Sequence, residues 1–151
     1  MIYSKRTKIA ILIMWHVHKE QVDKGGMPYV FHPFSVAQQM ETEEETVVAL
    51  LHDVIEDSKY TLEDIKYTFQ QRGEELRGGE TQALKLLTRN KEEDYFDYVE
   101  RIKWQPIARK VKIADLKENL NTDRCEEINF SLIEKYKRAL EVLEYQGDQN
   151  G

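Results

Sequence analysis

The fold is constrained most by a near-unbroken succession of helix-compatible segments, with turn chemistry between them and no strand-like alternation. Residues 5–21 are continuously helix-compatible, with Ile9, Leu12, Ile13 and His16 on one stripe. Asp23-Lys24-Gly25-Gly26-Met27-Pro28 reads as a loop on its Gly and Pro content. His32-Pro33 opens a second helix, since Pro is favoured in a first turn. Thr42-Glu43-Glu44-Glu45 is a capping box before a third helix, and Thr61 caps a fourth that runs through Phe69. Gly73, Gly78 and Gly79 mark a loose connection, read as a surface loop with a mobile flap near the pocket as its alternative, before a short helix over 81–87. Helices are expected over 94–104 and over 106–119, where Pro106 supplies the start. The last helix places Phe130, Ile133, Lys137, Leu140 and Leu143 near one face. The expectation is an all-α chain: one domain over 1–146 and a polar tail over 147–151.

Composition narrows the function classes. The apolar stretch Ile9 to Trp15 is too short to span a bilayer and leads directly into His16-Val17-His18-Lys19-Glu20, so it reads as a core helix and not a signal peptide. Cys125 is alone, which excludes an intrachain disulfide and points to the cytoplasm. A net charge of −6 argues against general nucleic-acid binding, which relies on Lys and Arg to neutralise phosphates. A small anionic ligand held by a few local cations stays compatible with it. No membrane partner is expected.

The chemistry concentrates in His52-Asp53-Val54-Ile55-Glu56-Asp57. On a helix, His52, Asp53, Glu56 and Asp57 share an arc of about 140°, while Leu51, Val54, Ile55, Val47 and Val48 take the other side. Three close carboxylates repel unless a positive charge sits among them, and a divalent metal is the simplest such object. A solvated acidic face is the alternative. Further ligands must come from other helices. His32, at a loop-to-helix junction, is one candidate, with a capping or surface role as its alternative. Asp115 is a second: it interrupts the run Val111, Ile113, Ala114, Leu116, and Asn119 lies one turn on. Two His and two Asp form a set suited to manganese, iron or zinc. His16 lies on the apolar stripe and reads as a core residue, whereas His18 has no assigned place.

The order His32 … His52-Asp53 … Asp115 resembles the HD superfamily of metal-dependent phosphohydrolases. It is similar in particular to the hydrolase domain of the RelA/SpoT family and its stand-alone small homologues, which remove the 3′-pyrophosphate of (p)ppGpp. The stretches HKEQVDKGGMPYVFHPFSVA, VVALLHDVIEDSKYTLEDI, LLTRN and ARKVKIADLKENLN carry the resemblance over most of residues 5–120. It implies a compact helical HD-domain bundle with a single metal site. His32, His52, Asp53 and Asp115 would be the ligands, with manganese the expected ion and another divalent transition metal the variant. Glu56 and Asp57 match the pair that positions and activates water, and Lys24, Tyr29 and Asn119 match positions lining a guanine-nucleotide pocket. Thr88-Arg89 stands where that family has a Thr-Lys pair near the phosphates.

The chain departs from that pattern at Asp23, where the family has Arg beside the Lys matched by Lys24, and at Asn121, Met27 and Glu20. All four lie outside the ligand set and fall in substrate recognition. The implied reaction is hydrolysis of (p)ppGpp to GDP or GTP and pyrophosphate, without synthesis, because about one helix and a tail follow Asn119. The alternative is an HD phosphohydrolase for another nucleotide or phosphoester. A catalytically silent nucleotide-binding module is a third reading. Tyr95 and Tyr98 either stack a base or simply pack, and their spacing leaves one of them partly open without saying which.

Overall fold

The computed structural model describes residues 1–121 and 129–145, which form eight α-helices and no strand among the described residues. They are α1 (Lys5–His18), α2 (Phe31–Gln38), α3 (Glu43–Leu51), α4 (Leu62–Gln71), α5 (Gly78–Leu87), α6 (Tyr95–Lys103), α7 (Pro106–Asn119) and α8 (Phe130–Glu144). Cys125 and the expected tail over 147–151 lie outside the described residues. No helix among the described residues is long and apolar enough to cross a membrane.

Helix α3 is the axle of the bundle. Every residue from Thr46 to Leu51 is buried, and α1, α2, α5 and α7 pack around it. A helix apolar all round must be enclosed, and Val47, Val48, Ala49, Leu50 and Leu51 leave no polar face after the first turn. Its start is fixed by the expected capping box: Thr42 accepts from the Glu45 amide, and Glu45 reaches back to the Thr42 amide at 3.1 Å. Thr61 caps α4 in the same way with Asp64, and Pro106 stands in the first turn of α7, which ends at Asn119 as the sequence predicts.

Four expectations are corrected. The sequence places the hexapeptide on α3, but the helix stops at Leu51 with His52 as its C-cap. Residues 52–57 continue as turns, with the Val54 amide on the Leu51 carbonyl and the Asp57 amide on the Asp53 carbonyl. The buried face of α1 runs through Ile9, Ala10, Ile13 and Met14, which leaves Leu12 and His16 exposed and buries His18. An uninterrupted apolar run from Ile9 to Trp15 holds no polar residue to set the phase of the helix. Glycine 78 and Gly79 belong to α5, so only residues 72–77 form the connection. On α8 the fully buried side chains are Ala139 and Leu143, and Phe130 is largely exposed.

One buried polar feature holds the bundle at the opposite end of α3 from His52. Arg6 of α1 donates to Glu80 of α5, to Glu43 of α3 at 2.8 Å and to the Glu75 carbonyl at 3.0 Å. Burial opposes the charge on Arg6, but the two carboxylates outweigh it and raise its pKa; the Arg6 hydrogen bond in turn lowers that of Glu43.

Candidate metal centre

Four side chains from three helices and one turn converge beneath α3. His32 projects from the first turn of α2, His52 caps α3, Asp53 follows it, and Asp115 comes from the third turn of α7. One ligand atom from each lies within 4.8 Å of all the others. His32 Nε2 is 2.7 Å from Asp115 Oδ1 and 4.0 Å from Asp53 Oδ2. His52 Nε2 is 3.1 Å from Asp53 Oδ2 and 3.4 Å from Asp115 Oδ1. His32, His52 and Asp115 are buried, and Asp53 is half-buried.

The site has the chemistry of a cation seat. Burial opposes the charge on His52, Asp53 and Asp115, yet their charged neighbours outweigh it. Asp53 is held down to about 2 chiefly by His52, and Asp115 lies well below the usual range because of Lys112 and His32. His52 is pushed well above its ordinary value by Asp53 and Asp115. The carboxylates thus hold positive charge in the cluster, a demand that a divalent ion meets. A more specific observation points the same way. His52 donates from Nδ1 to the Ala49 carbonyl at 2.6 Å, leaving Nε2 buried among the carboxylates with no aligned hydrogen bond. That arrangement, one ring nitrogen tied to a carbonyl and the other aimed at oxygen ligands, is what a metal-binding His requires. The residues present fit a divalent ion.

Neighbours orient the set. Tyr29 donates its hydroxyl to Asp53 Oδ2, and Asn119 Nδ2 lies 3.4 Å from Asp115 Oδ1. Lys112, absent from the sequence reading, donates to Asp115 Oδ2 at 2.9 Å from one turn earlier on α7. The signal for it was present: a Lys three residues before the Asp, between Val111 and Ile113, shares the inward face. His18 was unplaced by sequence. It lies buried with Nδ1 2.8 Å from Gln21 Oε1 and its ring 5.0 Å from that of Tyr29, and burial lowers its pKa. Gln21 in turn donates to the Asp57 carbonyl at 3.2 Å.

Two cavities flank the cluster. One, of about 340 Å³, is lined by Lys24, Tyr29 and Asn119 together with His32, Asp23 and Asn121, and closed by Leu132 and Tyr136 of α8. The other holds Glu56, Asp57, Arg89 and Lys91. The structure therefore gathers Lys24, Tyr29 and Asn119 in one pocket and sets Arg89 apart with the Glu56-Asp57 pair. Glu56 accepts from the Arg89 amide, while the Arg89 side chain donates to the Glu93 carbonyl at 3.1 Å and lies over the Tyr95 ring. Partial loss of water and the charges of Asp53 and Glu56 push Asp57 up to about 6, and Glu56 is raised as well. Of the two tyrosines, Tyr98 is the packed one, its hydroxyl on the Leu87 carbonyl at 2.7 Å, and Tyr95 is partly open.

Fold and cluster together define the class of molecule: a compact all-α bundle with a His/Asp site that could hold a divalent metal. In sequence the chain resembles the (p)ppGpp hydrolases of the SpoT and MESH1 type. It is 32% identical over 126 residues to the bifunctional (p)ppGpp synthase/hydrolase SpoT of Escherichia coli, an alignment covering 78% of this chain and 18% of that protein. It is 34% identical over 110 residues to the guanosine-3′,5′-bis(diphosphate) 3′-pyrophosphohydrolase of Aquifex aeolicus, covering 70% of this chain and 16% of that one. The 3′-pyrophosphohydrolase MESH1 of Danio rerio is 30% identical over 117 residues, which are 73% of this chain and 64% of MESH1. The chain thus spans less than a fifth of the two bacterial relatives. No model of a known protein family matches it. In fold it matches a solved metazoan ortholog of SpoT, described as hydrolysing ppGpp, with a TM-score of 0.72 at 19% identity over 95% of this chain and 85% of that one.

Proposed function

We propose that the chain is a metal-dependent 3′-pyrophosphohydrolase that acts on guanosine (p)ppGpp and yields GDP or GTP with pyrophosphate. The observation that carries this reading is the convergence of His32, His52, Asp53 and Asp115 beside Glu56 and Asp57. The relatives named as ppGpp pyrophosphohydrolases support it. Manganese is the proposed ion, held by those four side chains in a cytoplasmic setting. When bound, such an ion lowers the pKa of water and polarises a phosphoryl oxygen.

The chain's own residues supply the remaining steps. Tyr29 and Lys112 hold Asp53 and Asp115 by the oxygens they occupy. Asp57 and Glu56 form the proton-accepting pair; with Asp57 at about 6, it is ionised at neutral pH yet basic enough to take a proton from attacking water. Lys24, Tyr29 and Asn119 receive the nucleoside end, and Arg89 stands with the pair on the other side of the cluster. The water oxygen bonds to phosphorus, the bond to the ribose 3′ oxygen breaks, and a proton completes the 3′ hydroxyl.

The test is product analysis. Protein loaded with manganese is incubated with ppGpp and the nucleotides are resolved by ion exchange, with Asp53→Ala as control. GDP and pyrophosphate from the wild type alone are the expected products. Intact ppGpp with metal demonstrably bound would overturn the substrate and turn attention to other nucleotides and phosphoesters.

A further inference from the structure

We infer that Asp23 sets the substrate class of the nucleoside pocket, favouring a guanosine 3′-diphosphate with few 5′ phosphates over one with a 5′ di- or triphosphate; the inference rests on the 3′-pyrophosphohydrolase reading above. The connection between α1 and α2 folds back on itself through a bridge of Val22 with Pro28. The Asp23 amide donates to the Met27 carbonyl at 2.8 Å, and the Gly26 amide to the Asp23 carbonyl at 3.0 Å. Gly26 takes φ +82°, a conformation other residues rarely adopt, so the turn depends on it. Tight loops of this kind turn several backbone N–H groups into one concavity, the arrangement that receives phosphate oxygens in anion-binding loops.

Here that concavity is already taken. Asp23 Oδ1 accepts from both the Gly25 and the Met27 amides at 2.9 Å. The side chain acts as a resident anion: it engages the donors a phosphate would use and fixes a negative charge on the pocket wall. The rest of the wall agrees. Glu118 adds a second carboxylate, accepting from Gln39 at 3.1 Å, and Lys24 is the one Lys or Arg among the described lining residues. Leu132 and Tyr136 supply apolar and aromatic surface.

Phosphoryl groups gain from cations and unengaged N–H donors, and they lose against fixed carboxylates in a partly enclosed pocket. A nucleobase gains from that wall, since its N–H groups can donate to carboxylates and its face can lie on a tyrosine. The paired cations Arg89 and Lys91 lie instead in the other cavity, next to Glu56 and Asp57. The charge-rich end of the substrate belongs there, and the 5′ end meets the acidic wall.

The test compares guanosine 3′-diphosphates carrying a 5′ mono-, di- or triphosphate, using manganese-loaded wild type, Asp23→Asn and Asp23→Lys. Asparagine keeps the oxygen that caps the loop and removes the charge. Wild-type kcat/KM is expected to fall about threefold to tenfold with each added 5′ phosphate, the size of one incompletely screened charge contact. Asp23→Asn should flatten the series and Asp23→Lys should invert it. A flat or rising wild-type series, or an unchanged slope in Asp23→Asn, overturns the role of Asp23. Calorimetric affinities of GMP, GDP and GTP for the same three proteins give a readout independent of turnover. If every 3′-diphosphate stays intact, the hydrolase reading fails, and the affinity order still decides the matter. GMP binding tightest, with the order flattened in Asp23→Asn, supports the inference; any other order overturns it.

Discussion

Helix α3 has a buried charge cluster at each end, and the two are built on different rules. At its start, Arg6 joins Glu43, Glu80 and the Glu75 carbonyl. At its end, His32, His52, Asp53 and Asp115 meet with Lys112 and Tyr29. The first contains a guanidinium, which stays charged at any pH a protein survives. The second relies on imidazoles, which unlike a guanidinium can give up a proton and ligate a metal instead. A permanent cation makes a lock between helices. A titratable one leaves a seat that another cation can take.

Exchanging ligands for inert side chains should separate the two most sharply. His52→Ala or Asp115→Ala is expected to lower kcat/KM for the proposed reaction on the order of a thousandfold or more, since a bound metal would contribute both nucleophile and charge stabilisation. Steady-state kinetics beside metal-binding calorimetry checks this, and activity kept with metal lost would break the assignment. Arg6→Met should do the reverse. Leaving Glu80 buried without its cation costs about 3–5 kcal/mol, read as a lower urea midpoint, with kcat per folded molecule unchanged.

Lys112 tests the boundary between the clusters, because it is a permanent cation placed in the titratable one. Lys112→Met should lower turnover about tenfold to a hundredfold, the usual cost of losing a group that orients a ligand. Metal affinity should hold or rise, because the site becomes more negative. A merely structural lysine would lower stability and leave both quantities alone.

The two ends also differ in pH dependence. In metal-free protein the folded pKa of His52 lies above its unfolded value of 6.5, so its contribution is full below that value and is lost as pH rises through the folded one. Asp53 runs the other way: its contribution is present above 3.8 and lost as pH falls through about 2. A divalent ion bound at the cluster would replace the His52 proton, so loading with manganese should release protons and remove the alkaline decline in Tm. Melting curves across pH, with and without manganese, measure this; identical curves would sink the cation-seat reading. The smallest expected effect is at the α3 cap, where Thr42→Ala should cost about 1 kcal/mol and leave the metal affinity unaltered.

How far the sequence revealed these regions follows from how local each signal is. Thr42, Thr61 and Pro106 act within one turn of themselves, so the starts of α3, α4 and α7 were readable. The four cluster residues were readable because histidine and aspartate stand out against apolar neighbours. The phase of α1 was not, because its apolar run offers two packable faces and only the tertiary contacts with α3 choose between them. For that reason His16, read as a core residue, lies exposed, while His18, which the sequence left without a place, is the buried one. Arg6 with Glu80 was invisible as well, since nothing local ties residues 74 positions apart. Asp23 showed in the sequence as an unexpected carboxylate, but its grip on the Gly25 and Met27 amides required the folded loop.

Leu132 and Tyr136 close the pocket beside His32 from α8, whereas the four cluster residues lie on α2, on α7, at the cap of α3 and in the turn after it. The α8 side of this pocket is therefore a different piece of chain from the cluster, although His32 lines both. Substitution at Leu132 or Tyr136 changes the size of the opening while the four cluster side chains stay in the sequence. If the proposed hydrolysis holds, descendants of such a chain can change what they accept and keep the chemistry of the cluster.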